Sequence, residues 1–214
     1  MLDTENAGYV NRQSKEEYIA FFNAIERGDI NYLSRCLPGQ TLNEKGRMYT
    51  CPLSHAIIAN QMEVARLFLQ HGADPNQIDL QEYPPLWHAI NREREHPGWV
   101  QFMLDHGANP KVCGRHNSSM LQTAVSQNNK MLVNKFLDLG IDINYRDNYG
   151  CCALTDTCET PSPDMMRHLL ERGANPWLED DHGTTPILRA ELYFPELLLP
   201  ILAEFGHVPI INSI

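Results

Sequence analysis

Six cysteines and nine histidines are the residues of this 214-residue chain best equipped for chemistry. Metal binding or thiol chemistry is what they would support. Cys113-Gly-Arg-His116 has the spacing of a ligand pair. A second pair is not apparent nearby, and Cys151, Cys152 and Cys158 join the first only if the fold gathers distant segments. Cys158, Asp156 and a histidine are the residue types of a thiol protease, but types without geometry do not make one. No Gly-rich phosphate loop or dinucleotide fingerprint is present. His71 and His106 share one place just before a glycine, where a polar residue suits a helix C-terminus. His55 and His88 share another. Such regular placement favours a structural role. The expectation is no catalytic residue, no metal ligand and no cofactor, with a metal- or thiol-dependent enzyme as a remote alternative.

Those residues recur because the elements that position them recur. The glycines Gly72, Gly107, Gly140, Gly173 and Gly206 lie 35, 33, 33 and 33 positions apart. The small residues Ala56, Ala89, Ala124, Thr157 and Ala190 lie 33, 35, 33 and 33 apart. The series differ only between Ala89 and Gly107, so the third unit carries two extra residues, most simply within 92–98. Each unit opens with a helix, often led by a proline (Pro52, Pro85, Pro186) at a first turn that needs no N–H. A polar break such as Asn60 or Asn128 follows, then a second amphipathic helix such as Met62–Gln70, then the glycine as its left-handed stop. Two short helices cannot bury their apolar faces alone, so copies must stack.

At these residues the chain resembles the ankyrin repeat family. The family's Thr-Pro-Leu-His-x-Ala opening stands here as Cys51-Pro-Leu-Ser-His-Ala56, Pro84-Pro-Leu-Trp-His-Ala89 and Thr185-Pro-Ile-Leu-Arg-Ala190. Its Gly-Ala-Asp-x-Asn ending stands as Gly72-Ala-Asp-Pro-Asn76, with looser copies at Gly107 and Gly173. The fourth unit, Ser119-Met-Leu-Gln-Thr-Ala124, lacks the proline, and the fifth opens as Cys152-Ala-Leu-Thr-Asp-Thr157. An earlier unit starts at a Ser14-Lys-Glu-Glu17 capping box and breaks at Gly28-Asp29. The resemblance implies an all-α solenoid of stacked helix-turn-helix units with short hairpin-like loops. The expected organisation is an N-terminal extension, 1–13, then one domain, 14–214, in units of about 14–46, 47–79, 80–114, 115–147, 148–180 and 181–214. Pro195 and Pro200 are expected to disturb the last helix, and 208–214 to lie over the last core layer.

Composition bounds the partner. A hydrophobic fraction of 43% and a charged fraction of 21% suit a soluble folded protein. The net charge of −10 argues against nucleic acid. No apolar run reaches the roughly 18 residues of a membrane span. From Leu154 onward ten acids face only Arg167, Arg172 and Arg189. A basic partner surface would complement that region, as would simple solvation of a helix face. The polar, acidic start lacks the parts of a secretory signal, so a cytoplasmic location is expected. Most of the cysteines read as reduced, packed thiols.

The resemblance implies that hairpin tips and the exposed face of each first helix form a continuous concave surface that holds a protein. In this frame the tips include Arg47, Met48, Gln81, Tyr83, Arg115, His116, Asn148, Tyr149, Asp181 and His182. The first-helix face adds Trp87, Asn91, Arg92, Gln122, Ser126, Asp156, Glu159, Arg189 and Tyr193. The expected partner-binding set is Met48, Tyr83, Trp87, Arg92, Arg115, His116, Tyr149, Asp156, His182 and Tyr193, because Tyr, Trp and Arg supply most interface energy. Trp87 is either part of that set or inter-unit packing. Trp177 is either a tip anchor or a local cap, and Trp99 is core. The 92–98 insertion is a partner contact or a tolerated extension. The expected function is a non-enzymatic protein-protein interaction module, monomeric when unbound. Its sharpest form is an inhibitor or immunity-type protein neutralising a toxin. An adaptor or secreted effector recruiting a host protein is the alternative.

Overall fold

Glycine at a fixed point ends each second helix because it enters the left-handed backbone region without steric strain. The computed structural model describes residues 15–38, 42–43 and 50–207. In it Gly72, Gly107, Gly140, Gly173 and Gly206 have φ between +75° and +89°. The breaks at Asn60 and Asn128 are also left-handed, at φ +57° and +51°, a region that asparagine tolerates better than most side chains.

Twelve α-helices and no strand form from the described residues. The first helices are α1 (Lys15–Arg27), α3 (Pro52–Ile58), α5 (Pro85–Arg92), α7 (Met120–Ser126), α9 (Ala153–Glu159) and α11 (Pro186–Tyr193). Each packs on its own second helix: α2 (Ile30–Cys36), α4 (Met62–Gln70), α6 (Trp99–Asp105), α8 (Lys130–Asp138), α10 (Pro163–Glu171) or α12 (Pro195–Glu204). First helices also pack on first helices in chain order from α1 to α11. The small residues Ala56, Ala89, Ala124, Thr157 and Ala190 lie inside that row, none more than 1% exposed. Leu53, Leu86, Leu121, Leu154 and Ile187 repeat a buried layer beside them, and Val64, Phe68, Leu132, Phe136, Met165 and Leu169 do so in the second row. Trp99 is fully buried, as expected, and its indole N–H donates to Asn60 Oδ1 at 2.9 Å, tying α6 to the preceding unit.

Local hydrogen bonds explain why several of the helices start where they do. The hydroxyls of Ser119 and Thr185 accept from the backbone N–H two residues into α7 and α11, both at 3.2 Å. Cys51 Sγ takes the same role from Ser54 N–H at 3.5 Å, and Cys152 starts α9 beside the Thr155 hydroxyl. These two cysteines therefore act as weak caps rather than as inert small residues. An asparagine ladder joins the closing loops. Asn43 Oδ1 accepts from Asp74 N–H, Asn76 Oδ1 from Asn109 N–H and Asn144 Oδ1 from Asn175 N–H, at 2.7, 2.7 and 2.8 Å.

One expectation is corrected. Pro195 opens α12 and Pro200 sits within it without ending it. Pro200 is exposed while Leu198, Ile201 and Leu202 are buried, so packing on one side holds the helix despite the missing N–H. The 92–98 insertion also contributes a structural contact. Glu93 is buried, and its carboxylate accepts the backbone N–H of Gly98 and Val100, both at 2.9 Å, which caps α6. The proposed Ser14 cap, Arg47, Met48 and the 208–214 segment lie outside the described residues.

Gly140 has φ +79° with nothing within 4 Å of an added Cβ, so a side chain there is opposed by the backbone alone. Gly140→Val is expected to cost about 2 kcal/mol, lowering Tm by roughly 4–8 °C. Arg115→Ala at an exposed tip should stay within about 0.5 kcal/mol. Thermal melts of both variants test the register, and equal values would overturn it.

Candidate functional site

The last three tips form one connected edge. Asn148 N–H donates to the His116 carbonyl at 2.9 Å, and Asp181 N–H donates to the Tyr149 carbonyl at 3.0 Å, so these three tips are hydrogen-bonded in series. The Tyr149 hydroxyl meets His116 Nδ1 at 3.2 Å. Earlier in the row the Tyr83 and Trp87 rings stack with centroids 3.8 Å apart, lying against Gly114. A Cβ on Gly114 would come within 3.3 Å of the Tyr83 ring, so the smallness of that residue lets the aromatic pair lie flat. Arg115, His116, Tyr149, His182 and Tyr193 are exposed, whereas Tyr83 and Trp87 are half-buried.

An aspartate holds three of the tips closed. Asp79 Oδ1 accepts the N–H groups of Gln81 and Tyr83, at 2.9 and 3.0 Å. Asp147 Oδ1 accepts those of Tyr149 and Cys151, and Asp180 Oδ1 those of His182 and Thr184. The second carboxylate oxygen then needs its own donor. His88 Nε2 supplies it to Asp79 at 2.8 Å, and Arg189 supplies it to Asp180 at 2.6 Å, in both cases from nine residues on. Burial alone would raise the Asp79 pKa, but the His88 contact and the backbone N–H groups outweigh it and hold the group below its ordinary value.

The fifth unit departs from this construction. The residue nine beyond Asp147 is Asp156, and Asp147 Oδ2 instead accepts from Gln122 Nε2 of the preceding unit at 3.3 Å. Among the described residues no donor reaches the Asp156 carboxylate. It lines a cavity of about 140 Å³ with Val125, Ser126, Asn128, Thr157, Thr160, Pro161 and Ser162, between the ends of α7 and α9. Burial first, then the carboxylates of Glu159 and Asp147, push its pKa well above the carboxylate range, and Arg189 offsets only part of this. Arg189 is already engaged by Glu159 at 2.7 Å and by Asp180.

The other sequence-selected residues divide between structure and surface. Arg92 is held by the Ile58 carbonyl of the preceding unit and by Glu95, so its guanidinium ties units together. Trp177 is 43% exposed, with its ring edge-on to His207. His71 and His106 each bond, through Nδ1, the carbonyl four residues earlier at 2.8 Å. Burial lowers the pKa of His55, which faces Glu26. Cys113 turns to the Tyr145 hydroxyl at 3.3 Å while His116 turns to Tyr149, so the pair with ligand spacing is directed to different partners. Burial pushes the Cys151 thiol up to about 11 and the Cys158 thiol up to about 12. Sequence reasoning missed the tip aspartates Asp79, Asp147 and Asp180. Their constant position five residues before each first-helix cap was the available signal.

The Asp156 shift carries a definite sign. A carboxyl whose folded pKa is raised contributes stability that is complete below its unfolded value, about 3.9, and lost as pH rises through the folded value. Asp156→Asn is therefore expected to raise Tm at pH 7, with the gain shrinking toward pH 4. Paired melts across that range test this, and a pH-independent difference or a lowered Tm would sink it.

Comparison with known proteins bears on this architecture. The family model described as ankyrin repeats (3 copies) matches residues 86–180, and the single ankyrin repeat model matches 50–80. The human transient receptor potential cation channel subfamily A member 1 is 24% identical over 177 residues, covering 78% of this chain but only 16% of that protein. Among solved structures, an ankyrin repeat domain from Acinetobacter baumannii AYE is 24% identical at a TM-score of 0.72, covering 88% of this chain and 98% of that one. A chain in the complex of the predatory endopeptidase Bd0816 from Bdellovibrio bacteriovorus with immunity protein Bd3460 is 20% identical at a TM-score of 0.73, covering 90% and 99%. With the two family models accounting for the second to the fifth units, the chain belongs to the ankyrin repeat family.

Proposed function

We propose that this chain, whose ankyrin repeats indicate a protein-protein interaction module, holds its partner on the concave side, by the row of tips and the first-helix face, and that binding inhibits the partner. The observation that carries this reading is the linked tip row, which offers Arg115, His116, Tyr149 and His182 on one edge, with Asp156, Glu159 and Tyr193 on the adjoining helices. A surface fixed by backbone hydrogen bonds loses little freedom on binding, which favours tight capture. The excess of acids after Leu154 supports a partner with a basic surface. Likeness to a chain in an endopeptidase–immunity protein complex supports the narrower role of a cytosolic immunity-type inhibitor, acting by occupancy rather than by catalysis.

The test is to immobilise the chain, capture its partner, and assay the partner's own activity as purified chain is added. Wild type is expected to abolish that activity near a one-to-one ratio. Tyr149→Ala with Tyr193→Ala should weaken the complex roughly 30-fold, the scale of a lost interface anchor, while Met131→Ala on the second-helix side should not. Retention of full affinity by the tyrosine variant would overturn the concave-face reading. Undiminished partner activity in the complex would overturn inhibition.

A further inference from the structure

Asp79 and Asp180 are each satisfied by a cationic or donor side chain nine residues on, His88 and Arg189. At the corresponding place after Asp147 stands a carboxylate, Asp156, and Gln122 takes over as the donor to Asp147. Asp156 is left facing the cavity between α7 and α9 without a cation of its own. Asp156 is half-buried, lines the cavity and has no hydrogen-bond partner among the described residues, and the desolvation and neighbouring carboxylates that disfavour its charge would be relieved by a cation placed there.

The size and lining of the cavity narrow what can enter. About 140 Å³ admits one side-chain head group, well under the roughly 300–1,000 Å³ of sites for whole small molecules. Among the described residues no group of three His, Cys, Asp or Glu side chains could hold a metal ion. Arg189 does not fill the place, because Glu159 and Asp180 fix its guanidinium at 2.7 and 2.6 Å.

Resting on the protein-binding role proposed above, the geometry points to this cavity as the seat of a single arginine side chain of the partner, whose guanidinium donates to the Asp156 carboxylate with Glu159 at the rim. Arginine fits better than lysine. Its planar fork presents several N–H groups to the Asp156 carboxylate and the Ser126 and Thr160 hydroxyls together, and it gives up less hydration on entering an enclosed site. The desolvation and like-charge repulsion that disfavour a charged Asp156 in the free chain are offset when the cation arrives, so the position suits recognition better than it suits the fold.

The full chain is titrated with hexa-arginine, hexalysine and hexaglutamine peptides while its amide resonances are followed by NMR. Hexa-arginine is expected to shift the amides of Ser126, Asp156 and Thr157 first, and to bind several-fold more tightly than hexalysine. Asp156→Asn should weaken it about tenfold, as loss of a charged hydrogen bond does. Glu196→Gln, which removes the same charge from α12, should change it less than twofold. Asp156→Asn should also melt no lower than wild type, which separates a recognition role from a structural one. Unmoved amides around Asp156, equal binding of hexalysine, equal effects of the two variants, or a destabilised Asp156→Asn would each overturn the assignment. The concave-face reading is decided separately, by the tyrosine variant, and survives any of these failures.

Discussion

Close approach of neighbouring first helices is the constraint on which everything else depends. It is set at one position per unit, occupied by Ala56, Ala89, Ala124, Thr157 and Ala190, all essentially without exposed surface. A larger side chain there would separate two helices and also misalign the tips carried beyond it, the last three of which are hydrogen-bonded in series. Stability in such an array is the sum of units and of the interfaces between them. Local geometry at one alanine therefore propagates to a surface several units long.

Polar groups then divide into those that hold the array together and those it leaves available. The asparagine ladder, the Trp99–Asn60 bond and the Arg92–Ile58 contact each cross from one unit to the next. The tip aspartates instead close their own turns, and Asp79 and Asp180 anchor them to the first helix that follows through His88 or Arg189. Buried polar groups treated this way stabilise a single arrangement, since each has its partner and none is free to pair elsewhere. What remains at the tips is presentation, with rigid backbone beneath exposed side chains.

Much of this was legible in the sequence because periodicity is a strong signal. The stop glycines fixed the ends of the second helices, and the left-handed asparagines fixed the breaks. The histidines before glycine were correctly read as structural. What was not legible depended on three-dimensional closure. Whether Arg92 faced a partner or the Ile58 carbonyl depends on how one unit rests on the previous one. The role of Glu93 was not legible, since nothing in REREHPG reveals that the chain folds back to place it under α6. Pro200 looked like a breaker because propensity rules ignore the buried Leu198, Ile201 and Leu202 that hold its helix. For the candidate site, exposure of Tyr149 and Tyr193 followed from the frame, but the solitude of Asp156 did not.

A repeat protein supplies its own controls, and this separates neutral drift from specialisation. Three departures from the frame can be compared. Lys111 and Trp177 stand where Asn43, Asn76 and Asn144 carry the ladder, and each loses one inter-unit bond without stranding a buried group, since Lys111 and Trp177 reach solvent. Gly114 stands where Asp79, Asp147 and Asp180 close other tips, and the Tyr83–Trp87 pair uses the space. Asp156 places a half-buried carboxylate where His88 and Arg189 supply a donor, with Glu159 and Asp147 close by to add repulsion. Solvation or repacking accounts for the first kinds of change. It does not account for the last, because an isostere such as asparagine would remove the penalty at no cost in volume. A position that keeps the less stable choice inside an otherwise self-consistent frame is where local and global demands part, and that conflict marks function more sharply than exposure does.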